Sequence, residues 1–296
     1  MNKKTNQFRW NTVKPYLYLL PSFLLLVIFY YYAVVYAFQL SLTDTILGLQ
    51  SSFVGLKNYI RLFEDPIFKR SISNLVILAV ASLVKGITFP LLAAELLYFV
   101  RHKWSQDLAK RVFIFPLVVP GMVITMIWYN MLDPSIGLVN QILGKIGLES
   151  WQHSWFFDEK TAIWSVLVIG FPWIAGMNFL IFHNALNDLD EGVREAAEID
   201  GCTSLGLVRY IHLPALVPYV GTVATLSVIG SLQDYGSILV TTNGGPGYAT
   251  YVPALIMYNN MTGEIGYAAS AGVFCFALIL VVTSVIRALT KMADKS

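Results

Sequence analysis

The residues whose types and spacing are most specific lie in one polar interruption of an otherwise apolar chain, 184–214, with the sequence NALNDLDEGVREAAEIDGCTSLGLVRYIHLP. Their chemistry is recognition rather than catalysis. Small side chains at Ala196 and Ala197 let another backbone approach closely, and the neighbouring carboxylates Glu195, Glu198 and Asp200 suit a basic cleft or a polar rim. The spacing predicts two short helices. Positions 190–199 are helix-prone, with Val193, Ala196, Ala197 and Ile199 forming a small apolar surface. Gly201 breaks that helix, because glycine tolerates the backbone angles of a tight reversal. Thr203 or Ser204 can cap the next one, and Pro214 suits the first turn of the helix after it. Such a helix–turn–helix can dock a partner and pass force to the segments on either side, or it can be an ordinary amphipathic connector.

Other chemistries find little support. The histidines His102, His153, His183 and His212 are scattered, and Cys202 and Cys275 form neither a CxxC nor a Cys/His cluster, so no metal site or disulfide framework emerges. A phosphate loop needs GxxxxGK followed by a hydroxyl residue; Gly144-Lys145 is the nearest fragment and lacks the hydroxyl. No basic stripe with interleaved aromatics points to nucleic acid. The isolated charge at Lys85 stands out, since an ammonium at membrane depth costs about 2.5–3.5 kcal/mol and should face an interior or a partner. It can neutralise an acidic solute, pair with another subunit or snorkel.

These residues are set among membrane spans. Of 296 residues, 56% are hydrophobic and 13% charged, well below the roughly 25% charged residues of a soluble domain. Mean hydropathy is +0.62. A bilayer core needs about 20 apolar residues in a helix. Six runs qualify, at 15–42, 74–100, 112–132, 161–182, 215–232 and 265–286. They are too long for barrel strands and do not alternate in polarity, so the fold class is all-α integral membrane protein with about six transmembrane helices. The run at 15–42 is too long for a signal peptide and reads as a retained span. Gly86 and Pro90 predict a kink in the second span.

Basic residues set the orientation. With the N-terminus inside, thirteen Lys and Arg fall in inside segments and six in outside ones, so both termini are expected in the cytoplasm. The organisation is then a cytoplasmic segment 1–14, a transmembrane domain 15–290 with the cytoplasmic loop 184–214, and a tail 291–296. Outside, 54–73 places Leu56, Tyr59, Ile60 and Phe63 at helical spacing, as a helix at the outer interface or as surface packing. Trp151 and Trp155 fit an interfacial aromatic belt. No internal repeat is evident, which argues against a carrier built from inverted repeats.

Glu195-Ala196-Ala197, then Gly201, then Ile211-x-Leu213-Pro214, resembles the cytoplasmic EAA loop of binding-protein-dependent ABC importer permeases. Cys202 and His212 depart mildly from the commonest residues there. The opening KPYLYLLPSFLLL, the VGLKNYIRLF segment, FPLVVPGMVITMIWYNML and TTNGGPGYAT are similar to the carbohydrate-uptake branch, nearest the maltose MalF-type and glycerol-phosphate A-type subunits.

The resemblance implies an ABC type I importer permease fold in a bacterial cytoplasmic membrane, multi-pass. It implies a translocation path for an oligosaccharide or sugar derivative, operated by alternating access and coupled through 184–214. Its implied partners are a second homologous permease, two cytoplasmic ATP-binding subunits and an extracytoplasmic solute-binding protein. No catalytic residue, metal or cofactor is implied in this chain; ATP and magnesium belong to the ATPase. Sugars are held by hydrogen bonds and aromatic stacking, so the path candidates are Trp173, Asn178, Gln233, Asp234, Tyr235, Asn243 and Lys85. Each also has a structural reading: Asn178 as an interhelical bond, Trp173 as packing, 233–235 as the end of a span. The alternatives are the same fold carrying glycerol phosphate or another polar metabolite, and a stand-alone channel or secondary carrier.

Overall fold

The computed structural model describes residues 3–47, 49 and 51–293, with side chains from 13 onward except that of Glu198. The expectations for Lys3, Lys4, Arg9, the Glu198 carboxylate, Lys295 and the end of the 291–296 tail therefore fall outside the described side chains. In chain order, α1 (Lys3–Leu26) passes through a π-turn at Val27–Tyr31 into α2 (Tyr32–Ser41). The short α3 (Lys57–Glu64) precedes the long α4 (Pro66–Tyr98). A turn at Phe115–Val118 separates α5 (Lys103–Ile114) from α6 (Gly121–Met131). Then come α7 (Leu138–Lys145), α8 (Ala162–Val168), α9 (Gly176–Asn187), α10 (Glu191–Ile199) and α11 (Ser204–Leu207). A second π-turn, Val208–His212, joins α11 to α12 (Leu213–Gln233), which is followed by α13 (Gly236–Thr241), α14 (Pro253–Asn260) and α15 (Ile265–Ala293). Among the described residues the extended pairing is limited to the isolated bridge Thr43–Phe53.

The chain divides into two compact units. The first, 1–62 with 257–273, contains the helix Val13–Ser41, which buries none of its most apolar stretch within the chain. Its turn is fastened by Asn58, whose amide donates to the carbonyls of Ser41 and Thr43 at 2.9 and 2.7 Å. The expected helix within 54–73 is present as α3, but of the predicted stripe Leu56, Ile60 and Phe63 are exposed and only Tyr59 is half-buried, its hydroxyl 2.6 Å from Ser41 Oγ, while Asn58 and Leu62 are buried.

The second unit, 63–256 with 274–296, packs α4 along both α9 and α12. Asp65 caps α4 by accepting from the Ile67 N–H at 2.8 Å, and Pro66 occupies the first turn, so this helix begins eight residues before the apolar run that announced it. It runs on through Pro90 as one helix. One apolar cluster gathers Leu75, Phe156, Ile163, Leu232 and Leu255; another gathers Ala94, Phe179, Phe182, Leu216 and Val223. Because lipid is as apolar as these side chains, helix association rests on close packing and interhelical hydrogen bonds. Gly86 shows how close: a Cβ there would sit 2.4 Å from Ser227 Oγ.

Among the described residues four helices are long and apolar enough to cross a membrane, five if a bent pair counts as one span. The expected third run is that pair, Lys103–Val118 and Gly121–Met131, bent by 96° where Pro116 and Pro120 withdraw backbone donors. The expected fourth run, 161–182, is interrupted between α8 and α9. Gly170 (φ 81°) and Trp173 (φ 57°) flank Pro172, and that combination cannot continue a helix. The break satisfies its own backbone: Phe171 N–H donates to Val168 O at 3.0 Å, Trp173 N–H to Gly170 O at 2.8 Å and Ala175 N–H to Trp173 O at 3.0 Å.

Candidate functional site

The break at 169–175 forms one wall of a cavity of about 860 Å³ inside the second unit. Irregular backbone at membrane depth is tolerated where it lines such a space. The opposite walls come from α4, from the bend before α6, and from the end of α12 with the start of α13.

Five of the seven residues proposed for a solute path line this cavity: Lys85, Trp173, Asn178, Gln233 and Asp234. Trp173 meets Phe89 and Phe171 edge-on, with centroids 4.8 and 5.0 Å apart, and its indole N–H is buried with no hydrogen-bond acceptor. Asn178 donates to Gly86 O on α4 at 2.9 Å and lies 3.4 Å from Ser227 Oγ on α12, so the interhelical bond expected of it is present at the cavity wall. The Asp234 carboxylate accepts from the Ser237 N–H at 3.1 Å and from the Ser237 hydroxyl.

Lys85 has a structural task. Its ammonium donates to Leu167 O at 3.3 Å, and Leu167 lies in the last turn of the truncated α8, where carbonyls lack intrahelical partners. The Asp234 carboxylate is within electrostatic reach of the same ammonium. Tyr235 and Asn243 lie apart from the lining: Tyr235 packs against the apolar cluster of the second unit, and Asn243 is exposed just beyond α13. The sequence reading missed the hydroxyls Ser82, Thr125, Ser227, Ser231 and Ser237, which supply much of the cavity's polarity. Ser227 and Ser231 are one helical turn apart, and that spacing was the available signal.

The loop between α9 and α12 has the two helices expected of it. Gly201 adopts φ 74° at the reversal, and among the described residues no atom lies within 4 Å of where its Cβ would stand. Thr203 Oγ1 caps α11 by accepting from the Gly206 N–H at 3.2 Å. Pro214 lies in the first turn of α12, as expected, and α11 runs into α12 through the π-turn, which sits where Pro214 withdraws a donor. Glu195, Ala196, Asp200, Leu213 and Pro214 are exposed, and Ala197 and Ile211 half-buried. Apolar side chains stand out from the loop: Ile199 is 86% exposed, Leu205 78% and Tyr210 72%. Leu207 and His212 are buried, the latter against Glu95 of α4.

Residues 86–293 match the family described as binding-protein-dependent transport system inner membrane component. The chain is 30% identical over 279 residues to the probable ABC transporter permease protein YurN of Bacillus subtilis, covering 92% of this chain and 93% of that one. It is 31% identical over 276 residues to the arabinooligosaccharides transport system permease protein AraP of the same organism, covering 91% and 86%. In fold it is similar to a chain of a bacterial ABC transporter that imports the acidic polysaccharide alginate, with a TM-score of 0.83 at 22% identity over 96% of this chain and 98% of that one. The chain belongs to the binding-protein-dependent transport system inner membrane components and is a multi-pass ABC transporter permease.

Proposed function

We propose that this chain is one of two permease subunits of an ATP-driven importer for an oligosaccharide or sugar derivative in a bacterial cytoplasmic membrane, with both termini cytoplasmic. The exposed apolar side chains of the loop carry the proposal. Ile199, Leu205 and Tyr210 stand out from a segment that lies outside the apolar runs, around the pattern Glu195-Ala196-Ala197, Gly201 and Ile211-x-Leu213-Pro214. An exposed apolar patch with a polar rim suits a protein partner. That partner is a cytoplasmic ATPase, present in two copies, which binds ATP and magnesium so that this chain need not. Closure of the ATPase pair moves the loop and, through α9 and α12, the cavity walls, in a rigid-body switch between two packed states.

The cavity is this subunit's share of the path, completed by a second homologous permease and loaded by an extracytoplasmic binding protein. The hydroxyls and amides in its wall, with the unpartnered Trp173 N–H, suit a solute rich in hydroxyl groups. The name of the arabinooligosaccharide relative supports the same cargo class. Glycerol phosphate or another polar metabolite would use the same machinery.

Purification of the tagged chain in mild detergent is expected to bring with it an ATPase carrying a phosphate-loop motif and a second permease. Gly201→Asp is expected to leave membrane assembly intact and uncouple uptake from ATP hydrolysis. Among the described residues none lies within 4 Å of the new Cβ, and the left-handed backbone costs roughly 1 kcal/mol. Normal uptake by Gly201→Asp, or a lone transport-competent oligomer, would count against the proposal and favour a channel or secondary carrier.

A further inference from the structure

One buried polar contact joins the loop region to the cavity wall. His212 Nδ1 and Glu95 Oε2 are 2.8 Å apart, with the two side chains 1% and 9% exposed. Tyr98 meets the imidazole edge-on at 4.7 Å, and Phe99 stacks on it at 6.2 Å. His212 closes the π-turn that connects α11 to α12, two residues before Pro214. Glu95 lies on α4, ten residues beyond Lys85 on the same helix, or about 15 Å along its axis.

Stability alone does not account for the pair. A buried polar pair often stabilises no more than apolar side chains of the same volume would. Here the arrangement is costly, because Glu95 Oε1 is also buried and has no hydrogen-bond partner. What a hydrogen-bonded pair supplies and apolar contacts do not is a fixed register between two helices. Its position matters in this respect. Glu195, Ile199, Leu205 and Tyr210 are exposed, whereas His212 is held inside.

We propose that Glu95 and His212 are positioning residues that fix the inner end of α4 to the start of α12, so that displacement of the loop moves both walls of the cavity together. The inference rests on the docking of the loop proposed above. With the pair intact, α12 cannot tilt without carrying α4, and α4 bears Ser82, Lys85 and Gly86 into the cavity. With the pair broken, the loop still binds the ATPase, but its motion is shared out as slippage between the two helices.

The test uses the complete complex in proteoliposomes and reads solute imported per ATP hydrolysed, with recovery of the ATPase subunit measured alongside. Glu95→Ala and His212→Ala are each expected to lower that ratio about fivefold or more, the lower end of what coupling between two sites conveys. The ATPase subunit should still be recovered. The exchange Glu95→His with His212→Glu is expected to regain most of the ratio. Glu95→Leu with His212→Leu should fold and bind the ATPase yet remain uncoupled. Unchanged coupling in the single variants, or full coupling in the double leucine variant, would overturn the proposal and leave the pair as packing. If the single variants fail to assemble, the exchange and the double leucine variant, which leave no lone buried charge, decide by the same criterion. An unmodified chain that brings no ATPase with it removes the docking itself, and the proposal falls with it.

Discussion

The cavity and the loop invert the usual polarity in opposite senses. The cavity lies among apolar helices, yet its largely apolar wall carries Ser82, Lys85, Asn178, Ser227 and Asp234. The loop lies beyond the apolar runs yet exposes Ile199, Leu205 and Tyr210. Polar groups at membrane depth are expensive unless they bond to one another or to a ligand. Apolar groups facing water are expensive unless a partner covers them. Each region therefore keeps a local penalty that an interaction would remove, and under the proposed function the interactions differ: a hydrophilic solute for the first, a protein for the second. A helical permease needs both, one to admit cargo and one to receive energy.

The comparison breaks most easily at the cavity, because its walls are tightly fitted and the loop's exposed face is not. Gly86→Leu is expected to destabilise the protein by about 3 kcal/mol. A Cβ at this position already approaches Ser227 Oγ to 2.4 Å, and the longer side chain must push α4 from α12. A thermal melt in detergent measures it. The milder Gly86→Ala with Ser227→Gly should recover most of the loss. An unaltered melting midpoint for Gly86→Leu would show that the helices can separate at no cost, and the rigid cavity wall would have to be given up.

Much of this was legible in the sequence, for reasons that particular residues make plain. The helices Val13–Ser41, Pro66–Tyr98 and Ile265–Ala293 announce themselves by length and apolarity, because in lipid the backbone has few alternatives. The loop was legible because Gly201 and Thr203 act locally, one through its φ and the other through a cap three residues long. The break at 169–175 was missed because hydropathy does not weigh the breakers Gly170 and Pro172, which the sequence did carry within an apolar run. Nor was the contact between Glu95 and His212, which are separated by 117 positions and meet only once α4 and α12 pack. Lys85 was recognised as costly, but its partner depended on α8 ending at Val168, which no periodicity announced.

Lys85 gives the next, smaller effect and separates two meanings of polarity in the cavity. As the cap of α8, it contributes roughly 1 kcal/mol through its bond to Leu167 O, so Lys85→Met should lower the melting midpoint slightly and leave the KM for uptake unchanged. A raised KM with unaltered stability would instead make the ammonium a contact for an acidic solute.

The smallest expected change is at Ile199, and its smallness is informative. At 86% exposure the side chain supports little of the folded chain, so Ile199→Ser should shift stability by no more than about 0.5 kcal/mol. Recovery of the ATPase subunit from the same sample should nevertheless fall, since the substitution removes apolar area that only a partner would bury. A cavity variant is expected to show the reverse, with stability lost and recovery kept. If Ile199→Ser leaves both quantities unaltered, the exposed apolar face is not what the ATPase holds, and the two regions no longer differ in the way their polarity suggests.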